Sequence, residues 1–438
     1  MSATFAWGRS VRALRSRNFR LFFAGQSVSL IGSWMTRLAT SWLVYQLTDS
    51  AFLLGFTSFI GQIPAFFVAP IAGVWVDRWN LHRVLVITQV LLMLQALGLA
   101  ALALSGHINL WWIIGLALAQ GVINAFDMPA RQSFMIQMIE QRTDLGNAIA
   151  LNSSMVNSAR LTGPAIAGVI IAGSGVGVCF LIDGISFIAV IYSLLAMRVA
   201  PAARRVVQKS VLHELGEGWK YVTESPAIRS ILLLVGLASL IGNPYTVLMP
   251  VVAVNILHGG AHTLGFLMGM SGVGALISAI DLTLRRSVLG LGRRIALNAA
   301  IFGAGLLCLG VSHWLWLSLA LMAFTGFGMM QHLAASNTIL QTIAADDKRG
   351  RVMSFYTLAN LGMNPIGSLL AGSVAAKIGV QATMIGAGAM CLAAAFWFYG
   401  QLPEIRRVIR PIYRELGILP TVAEVVPDPS ALQGPPET

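Results

Sequence analysis

Three ionisable side chains lie inside long apolar stretches of this sequence, and their chemistry is the first question that it raises. Arg37 interrupts the segment SLIGSWMTRLATSWLVY at residues 29–45, and Arg160 and Asp183 lie in two further apolar stretches. A charged group is costly inside a membrane, so these residues are candidates for a functional role. An arginine keeps its proton, so Arg37 can hold an anion or shift the pKa of a neighbouring acid, but it cannot itself carry a proton.

The residues that can take up and release a proton inside apolar segments are Asp183, Asp127 and His332. Each has a structural alternative. Asp183 can pair with one of the arginines, in which case Arg37 fixes helix packing instead of facing a cavity. Asp127 and Arg131 are four residues apart on one helical face, which favours a structural ion pair between them. His332 also fits a core histidine.

The composition indicates the elements that must position these groups. Of the 438 residues 56% are hydrophobic and 11% charged, and the mean hydropathy is +0.76, which is typical of a polytopic membrane protein. Spans of about 20 apolar residues form helices in lipid. The sequence predicts an all-α fold with twelve transmembrane helices near residues 19–46, 52–76, 83–104, 109–133, 146–172, 177–197, 229–256, 264–284, 294–311, 314–338, 351–376 and 380–401.

The predicted topology explains where the basic residues behind the net charge of +12 are located. With the start of the chain in the cytoplasm, Arg37, Arg160 and Lys377 are the only Lys and Arg residues outside the cytoplasmic segments. This bias predicts that both termini are cytoplasmic and that the chain lies in the inner membrane. The basic residues therefore give no support for a nucleic-acid partner.

The sequence contains an internal repeat. The residues SLIG at 29–32 recur at 239–242, and the pattern L-x-x-x-A-x-x-L-G-F at 47–56 recurs at 257–266, both 210 residues later. Further along the offset becomes 204, where Gly146 matches Gly350. Two six-helix halves of this kind are a transporter architecture with alternating access. The repeat places Val247 opposite Arg37, so the architecture does not require an arginine at this position.

The same reading divides the chain into five segments. A basic N-terminus, 1–18, precedes the first six-helix half, 19–197. A linker, 198–228, carries an amphipathic helix, which either lies on the membrane surface or is solvated. The second half, 229–401, is followed by a tail, 402–438, that is predicted to be disordered.

The segment GVWVDRWNLHR at 73–83 resembles the loop motif of the major facilitator superfamily, with Gly73, Asp77 and Arg78 in place and Leu81 departing from it. The resemblance implies a gating role, in which Asp77 faces the positive N-terminus of the eleventh span. The predicted pair Asp127–Arg131 belongs to the same gate.

The segment ARLTGPAIAG at 159–168 resembles the Gly-Pro motif of antiporters in that superfamily. Gly163, Pro164 and Gly168 carry the likeness, which implies tight packing against the eighth span. The arginine of another antiporter motif, R-x-x-Q-G, is replaced by Ala117.

Several segments resemble the branch of the superfamily that includes the enterobactin exporter. The resemblance implies an exporter of small organic molecules (drugs, siderophores or similar metabolites), monomeric, driven by proton antiport and without a cofactor or metal. It also implies a cavity formed by Trp34, Arg37, Arg160, Asp183, Asn243, Tyr245, Gln331 and His332. The alternatives are a uniporter or uptake permease and, from another class, a membrane sensor or scaffold. An enzyme is not expected, because the sequence has no clustered nucleophile, base or metal ligands.

Overall fold

The first half of the chain folds as six long helices joined by short connections. The computed structural model describes residues 11–76, 79–199, 211–285, 288–345 and 347–415. A 3-10 turn, Arg12–Arg15, precedes the helices, and the turns Ile136–Met138 and Arg142–Asp144 join the fourth helix to the fifth. The helices are α1 Arg17–Thr48, α2 Ala51–Val76, α3 Leu81–Leu104, α4 Leu110–Met135, α5 Leu145–Ser174 and α6 Val176–Leu195.

The second half repeats this arrangement, with interruptions in two of its spans. The seventh and eleventh predicted spans each contain π turns, at Ala238–Gly242, Val252–Ile256 and Leu358–Gly362. The helices are α7 Val211–Glu224 in the linker, α8 Pro226–Leu237, α9 Tyr245–Val251, α10 Ala261–Thr283, α11 Leu291–Val311, α12 Leu315–Ile343, α13 Arg349–Thr357, α14 Met363–Ile378 and α15 Val380–Glu415.

The predicted all-α membrane fold is confirmed. Within the described residues, ten helices are long and apolar enough to cross a membrane. The other two predicted spans also fold as helices, α1 and the pair α13–α14, but α1 carries several arginines and a π turn divides α13 from α14. Their crossing of the membrane remains a prediction, made from the repeat.

Tryptophans mark the predicted outer surface of the membrane. Trp111 and Trp112 are exposed at the start of α4, and Trp314 and Trp316 are exposed at the equivalent place before and in the first turn of α12. Exposed tryptophans at helix ends are typical of the interface between lipid and water. Equivalent helix ends of the two halves therefore carry the same exposed residue type.

Two glycine crossings join the halves near this outer surface. A Cβ atom on Gly168 in α5 would lie 2.8 Å from the Cα of Gly265 in α10, and one on Gly372 in α14 would lie 2.9 Å from the Cα of Gly55 in α2. Gly55 and Gly265 occupy equivalent repeat positions, as do Gly168 and Gly372. The two crossings are therefore equivalent under the internal repeat. In each of them the helix backbones come so close that side chains would not fit between them.

The C-terminal tail starts later than predicted. The segment from 402 to 415 is not disordered but continues α15 through two prolines as far as Glu415. Its residues Leu402, Ile405 and Ile409 are buried in one apolar cluster with the beginnings of α8 and α11. Apolar residues three and four positions apart form a helical face, which outweighs the composition that suggested disorder. The rest of the predicted tail lies outside the described residues.

This packing predicts that the tail helix contributes to stability. Ile405 is 2% exposed, whereas its neighbour Arg406 is exposed. The substitution Ile405→Asn should destabilise the protein by about 2–5 kcal/mol, because it removes a buried aliphatic side chain and buries an amide. Arg406→Asn is the matched control. Thermal unfolding in detergent should show a lower midpoint for Ile405→Asn and little change for Arg406→Asn; equal midpoints would contradict the packing.

The predicted amphipathic helix of the linker is α7, and it packs on the second half of the protein. Glu217 forms an ion pair with Arg351, and the Trp219 ring lies 5.9 Å from that of Phe355 in α13. Val222 is buried, while Trp219 is 61% exposed. One side of α7 therefore docks on α13, so the helix is not simply solvated.

Candidate substrate site

Helices α1 and α5 bring two arginines onto one tryptophan. The guanidinium carbon of Arg37 lies 4.8 Å from the centre of the Trp34 ring, and that of Arg160 lies 5.7 Å from it. Arg160 also donates to the Met329 sulfur at 3.8 Å, on α12 in the other half. Cations over an indole ring are stabilised by about 0.5–2 kcal/mol. Trp34, Arg37 and Arg160, three residues of the predicted cavity, therefore form one cluster at the junction of the halves.

Arg37 faces open space inside the helical bundle. Its side chain is exposed, although its neighbours Thr36 and Leu38 are 3% and 5% exposed. A guanidinium group that is accessible at this depth needs water or polar ligands around it. Arg37 is therefore accessible and does not lie within a packed interface, and its place in a substrate cavity remains a prediction.

Exposed polar residues lead from this cavity toward the predicted cytoplasmic side. They lie in the corresponding helices α5 and α13, where Ser153 and Thr357 occupy equivalent repeat positions. This density of polar groups within spans is typical of a face in contact with water. The exposed residues are Ser153, Ser154 and Ser158 in α5 and Ser354 and Thr357 in α13.

The glycine of the Gly-Pro motif explains why α1 and α5 approach so closely at this cluster. A Cβ atom on Gly163 would lie 2.9 Å from the carbonyl oxygen of Ile31 and would meet the Cβ of Trp34. The expected packing against the eighth span, α10, therefore holds for Pro164 and Gly168 but is wrong for Gly163. Gly163 faces α1 because successive positions on a helix point in different directions.

Asp183 does not pair with either arginine. Its carboxylate accepts a hydrogen bond from the Ser33 hydroxyl at 3.4 Å, and the side chain is 2% exposed. Within the described residues, no ion pair joins it to Arg37 or Arg160. The alternative of a structural pair is therefore wrong for this structure, because Asp183 lies between α1 and α6 while Arg37 turns toward Trp34. Asp183 lies behind the cavity wall, not on its surface.

Three other predicted cavity residues are buried in the second half. The Tyr245 hydroxyl shares a 2.8 Å hydrogen bond with Ser271. The His332 ring lies against that of Phe302, with ring centres 6.2 Å apart. Gln331 is fully buried and accepts a hydrogen bond from Ser278 at 2.7 Å. These contacts are those of core residues, so none of the three lines the open space beside Arg37.

Asn243 belongs to a chain of amides that crosses between the halves. It donates to Asn364 at 3.4 Å, and Asn364 donates to Gln62 of α2 at 3.2 Å. A second hydrogen bond, donated by Ser239 to Asn360 at 3.3 Å, joins the π turns Ala238–Gly242 and Leu358–Gly362. Such turns recur at functional sites. The sequence analysis missed this network, although polar residues spaced by four in both the seventh and eleventh spans were a signal for it.

The predicted Asp127–Arg131 pair is present. Arg131 forms an ion pair with one oxygen of the Asp127 carboxylate, and Thr88 and Gln89 of α3 each donate to the other oxygen at 2.8 Å. Asp127 is buried, so these partners replace the water that it would otherwise bind. The pair therefore ties α3 to α4.

Comparison with known proteins identifies the family of this chain. The family described as transmembrane secretion effector matches residues 9–411. The chain belongs to this family. Its relatives include the staphyloferrin A transporter of Staphylococcus aureus (strain NCTC 8325 / PS 47), which is 27% identical over 88% of this chain and 97% of the relative. The enterobactin exporter EntS of Citrobacter koseri is 24% identical over 90% of this chain and 94% of the relative.

Solved structures support the fold of this chain. A transporter of the POT family, solved in complex with 5-aminolevulinic acid, aligns with a TM-score of 0.73 at 12% identity and covers 89% of this chain and 97% of that one. The chain is thus a multi-pass major facilitator permease that resembles efflux transporters, and it is not an enzyme.

The loop motif of the superfamily lies only partly within the described residues. Gly73 lies in α2, whereas Asp77 and Arg78 lie outside the described residues. The helix end that Asp77 is expected to face is that of α13, where Arg351 forms its ion pair with Glu217. The gating role of Gly73, Asp77 and Arg78 remains a prediction.

Proposed function

We propose that this protein exports small organic molecules across the inner membrane by alternating access, as a monomer with both termini in the cytoplasm, and that it exchanges its substrate for protons. The substrate binds beside Arg37, Trp34 and Arg160 from the cytoplasmic side. Rocking of the two halves then opens the outer glycine crossings and releases it.

The observation that carries this proposal is the position of the arginine cluster. It lies between tightly packed helices on the outer side and exposed polar residues on the predicted cytoplasmic side. On the outer side, Gly168 and Gly372 bring the halves into backbone contact. On the other side, exposed hydroxyl groups lead toward the cluster. A site that is open toward the cytoplasm and closed outside is the arrangement in which an exporter loads its substrate. The name of one relative, an enterobactin exporter, agrees with this direction.

Asp183 is the residue that we propose for proton coupling. Asp127 is held by Arg131 and by two further donors, and His332 is enclosed in the core. Asp183 has no ion pair among the described residues, and its partner Ser33 lies on the helix that carries Arg37. A proton gained or lost there changes the charge behind α1 and can shift the balance between the two orientations.

The proposal is tested in two steps. Metabolites released by cells with and without the gene identify an exported compound, and cells with Arg37→Met serve as the inactive control. Proteoliposomes that contain the full chain are then given this compound with and without an imposed pH gradient. We expect the gradient to accelerate transport at least several-fold, and we expect Asp183→Asn to exchange substrate without responding to the gradient.

Other outcomes separate the alternatives. Rates that ignore the gradient in the unmodified protein would favour a uniporter over an antiporter. Net movement into cells would favour an uptake permease. Absence of any released or accumulated compound would favour a sensor or scaffold.

A further inference from the structure

We propose that the substrate is an organic anion, in which a carboxylate or another oxyanion is held by both Arg37 and Arg160 while its planar or apolar part lies in the cavity. This inference rests on the proposed transport function and assigns the chemical class of its substrate.

The first argument is the balance of charge in the spans. Among the described residues, the acids within the membrane spans have partners elsewhere: Asp127 pairs with Arg131, Asp281 pairs with Arg294, and Asp183 accepts from Ser33. In the same part of the chain, neither cavity arginine has a carboxylate within ion-pair distance. Two like charges in a medium of low dielectric repel each other, so an anion between them is strongly stabilising.

The contacts that the two arginines do have leave their donors available. Both guanidinium groups lie near the ring of Trp34, and Arg160 adds a long contact to the sulfur of Met329. A ring and a thioether satisfy few of the five N–H donors of each arginine. Paired hydrogen bonds to an oxyanion are the interaction for which this planar group is best suited. Because both groups share one indole ring, a single ligand can touch both.

The internal repeat shows that the fold itself does not need these charges. The position equivalent to Arg37 is Val247, and the position equivalent to Arg160 is Asn364, which takes part in the amide chain. The second half thus builds the same helices with neutral residues at both places. Two costly cations retained at one point of the first half indicate a ligand of opposite charge.

Equilibrium binding to two dyes tests the proposal. The dyes are carboxyfluorescein, an anion, and rhodamine 6G, a cation with the same xanthene ring system. Each is added to the purified full-length protein in detergent, and its fluorescence anisotropy is measured. We expect carboxyfluorescein to bind at least about tenfold more tightly than rhodamine 6G, because hydrogen bonds between charged partners have roughly twice the strength of neutral ones.

Variants locate the binding. Arg37→Met and Arg160→Met should each weaken carboxyfluorescein binding by about tenfold or more, and Arg37→Lys should weaken it less. Lys377→Gln, which removes an exposed cation at the outer end of α14, is the matched control and should bind like the unmodified protein. Size-exclusion profiles verify that each variant is folded, and the comparison of the two dyes on the unmodified protein does not depend on any variant.

The proposal is overturned if rhodamine 6G binds as tightly as carboxyfluorescein, if neither dye binds, or if both methionine variants keep the full affinity for the anion. Binding in detergent does not depend on a gradient. Failure of proton-driven export with anion binding intact would therefore count against the proposed function alone, and intact export with no preference for the anion would count against this inference alone.

Discussion

Gly168→Leu is expected to abolish transport by preventing the outer side of the protein from closing. Gly168 faces Gly265 across the junction of α5 and α10, where even a Cβ atom would lie 2.8 Å from the opposite Cα. Forcing a side chain into such a contact costs on the order of 1–3 kcal/mol. That cost applies only to the closed outer state, so the population should shift toward the outward-open state by about tenfold to a hundredfold.

The shift can be measured with a cysteine placed in the cavity. Trp34→Cys, at the arginine cluster, is introduced into a background without the exposed Cys308, and a membrane-impermeant maleimide is added from the outside. Labelling should be slow with Gly168 in place and fast in Gly168→Leu. Gly372→Leu, at the equivalent crossing, should have the same effect.

Gly173 provides the matched control for this experiment. It lies in the same helix, one to two turns further toward the outer end, and a Cβ atom there would meet nothing within 4 Å. Gly173→Leu should therefore transport and label like the unmodified protein. Normal transport by Gly168→Leu, or equal labelling of the two leucine variants, would show that the outer crossing is not the gate.

Arg37→Met is expected to abolish export while the protein still folds and reaches the membrane. Among the described residues the contacts of Arg37 are with the Trp34 ring, and no ion pair depends on it. Methionine fills a similar volume, so the free energy of unfolding should change by less than about 1 kcal/mol. Loss of a charged hydrogen-bonding group for the substrate should lower the export rate by roughly tenfold to a hundredfold.

Export of the compound identified in cells, together with the amount of protein in the membrane and its thermal midpoint, tests this expectation. The contrasting variant is Arg131→Met, which breaks the ion pair with buried Asp127. It should lose stability by a few kcal/mol, because a buried carboxylate then lacks its partner. If Arg37→Met also fails to accumulate, Arg37 has a structural role after all.

The position of helices and the repeat could be read from the sequence because both are local properties. Apolar runs fixed the ends of most helices to within a few residues, and the matches around Gly55 and Gly265 marked equivalent positions in the halves. Packing of Pro164 and Gly168 against α10 also followed from residue type, since only small residues permit such an approach.

The predictions that failed concern the direction in which a side chain points. Tyr245, Gln331 and His332 were expected in the cavity but lie in the core. On a helix one residue corresponds to about 100° of rotation, so a small uncertainty in register moves a side chain from cavity to core. Charge and polarity alone do not resolve that rotation.

By itself, the sequence of this protein determined that it is a helical, duplicated membrane permease and that Arg37 and Arg160 are the charges to explain. The tertiary structure decided which groups meet: it placed both arginines on Trp34 and left Asp183 with Ser33 at the contact between α1 and α6. The physical reason is that periodicity and hydropathy act within one segment. The partner of a buried charge, in contrast, is set by how several helices rotate and pack against one another.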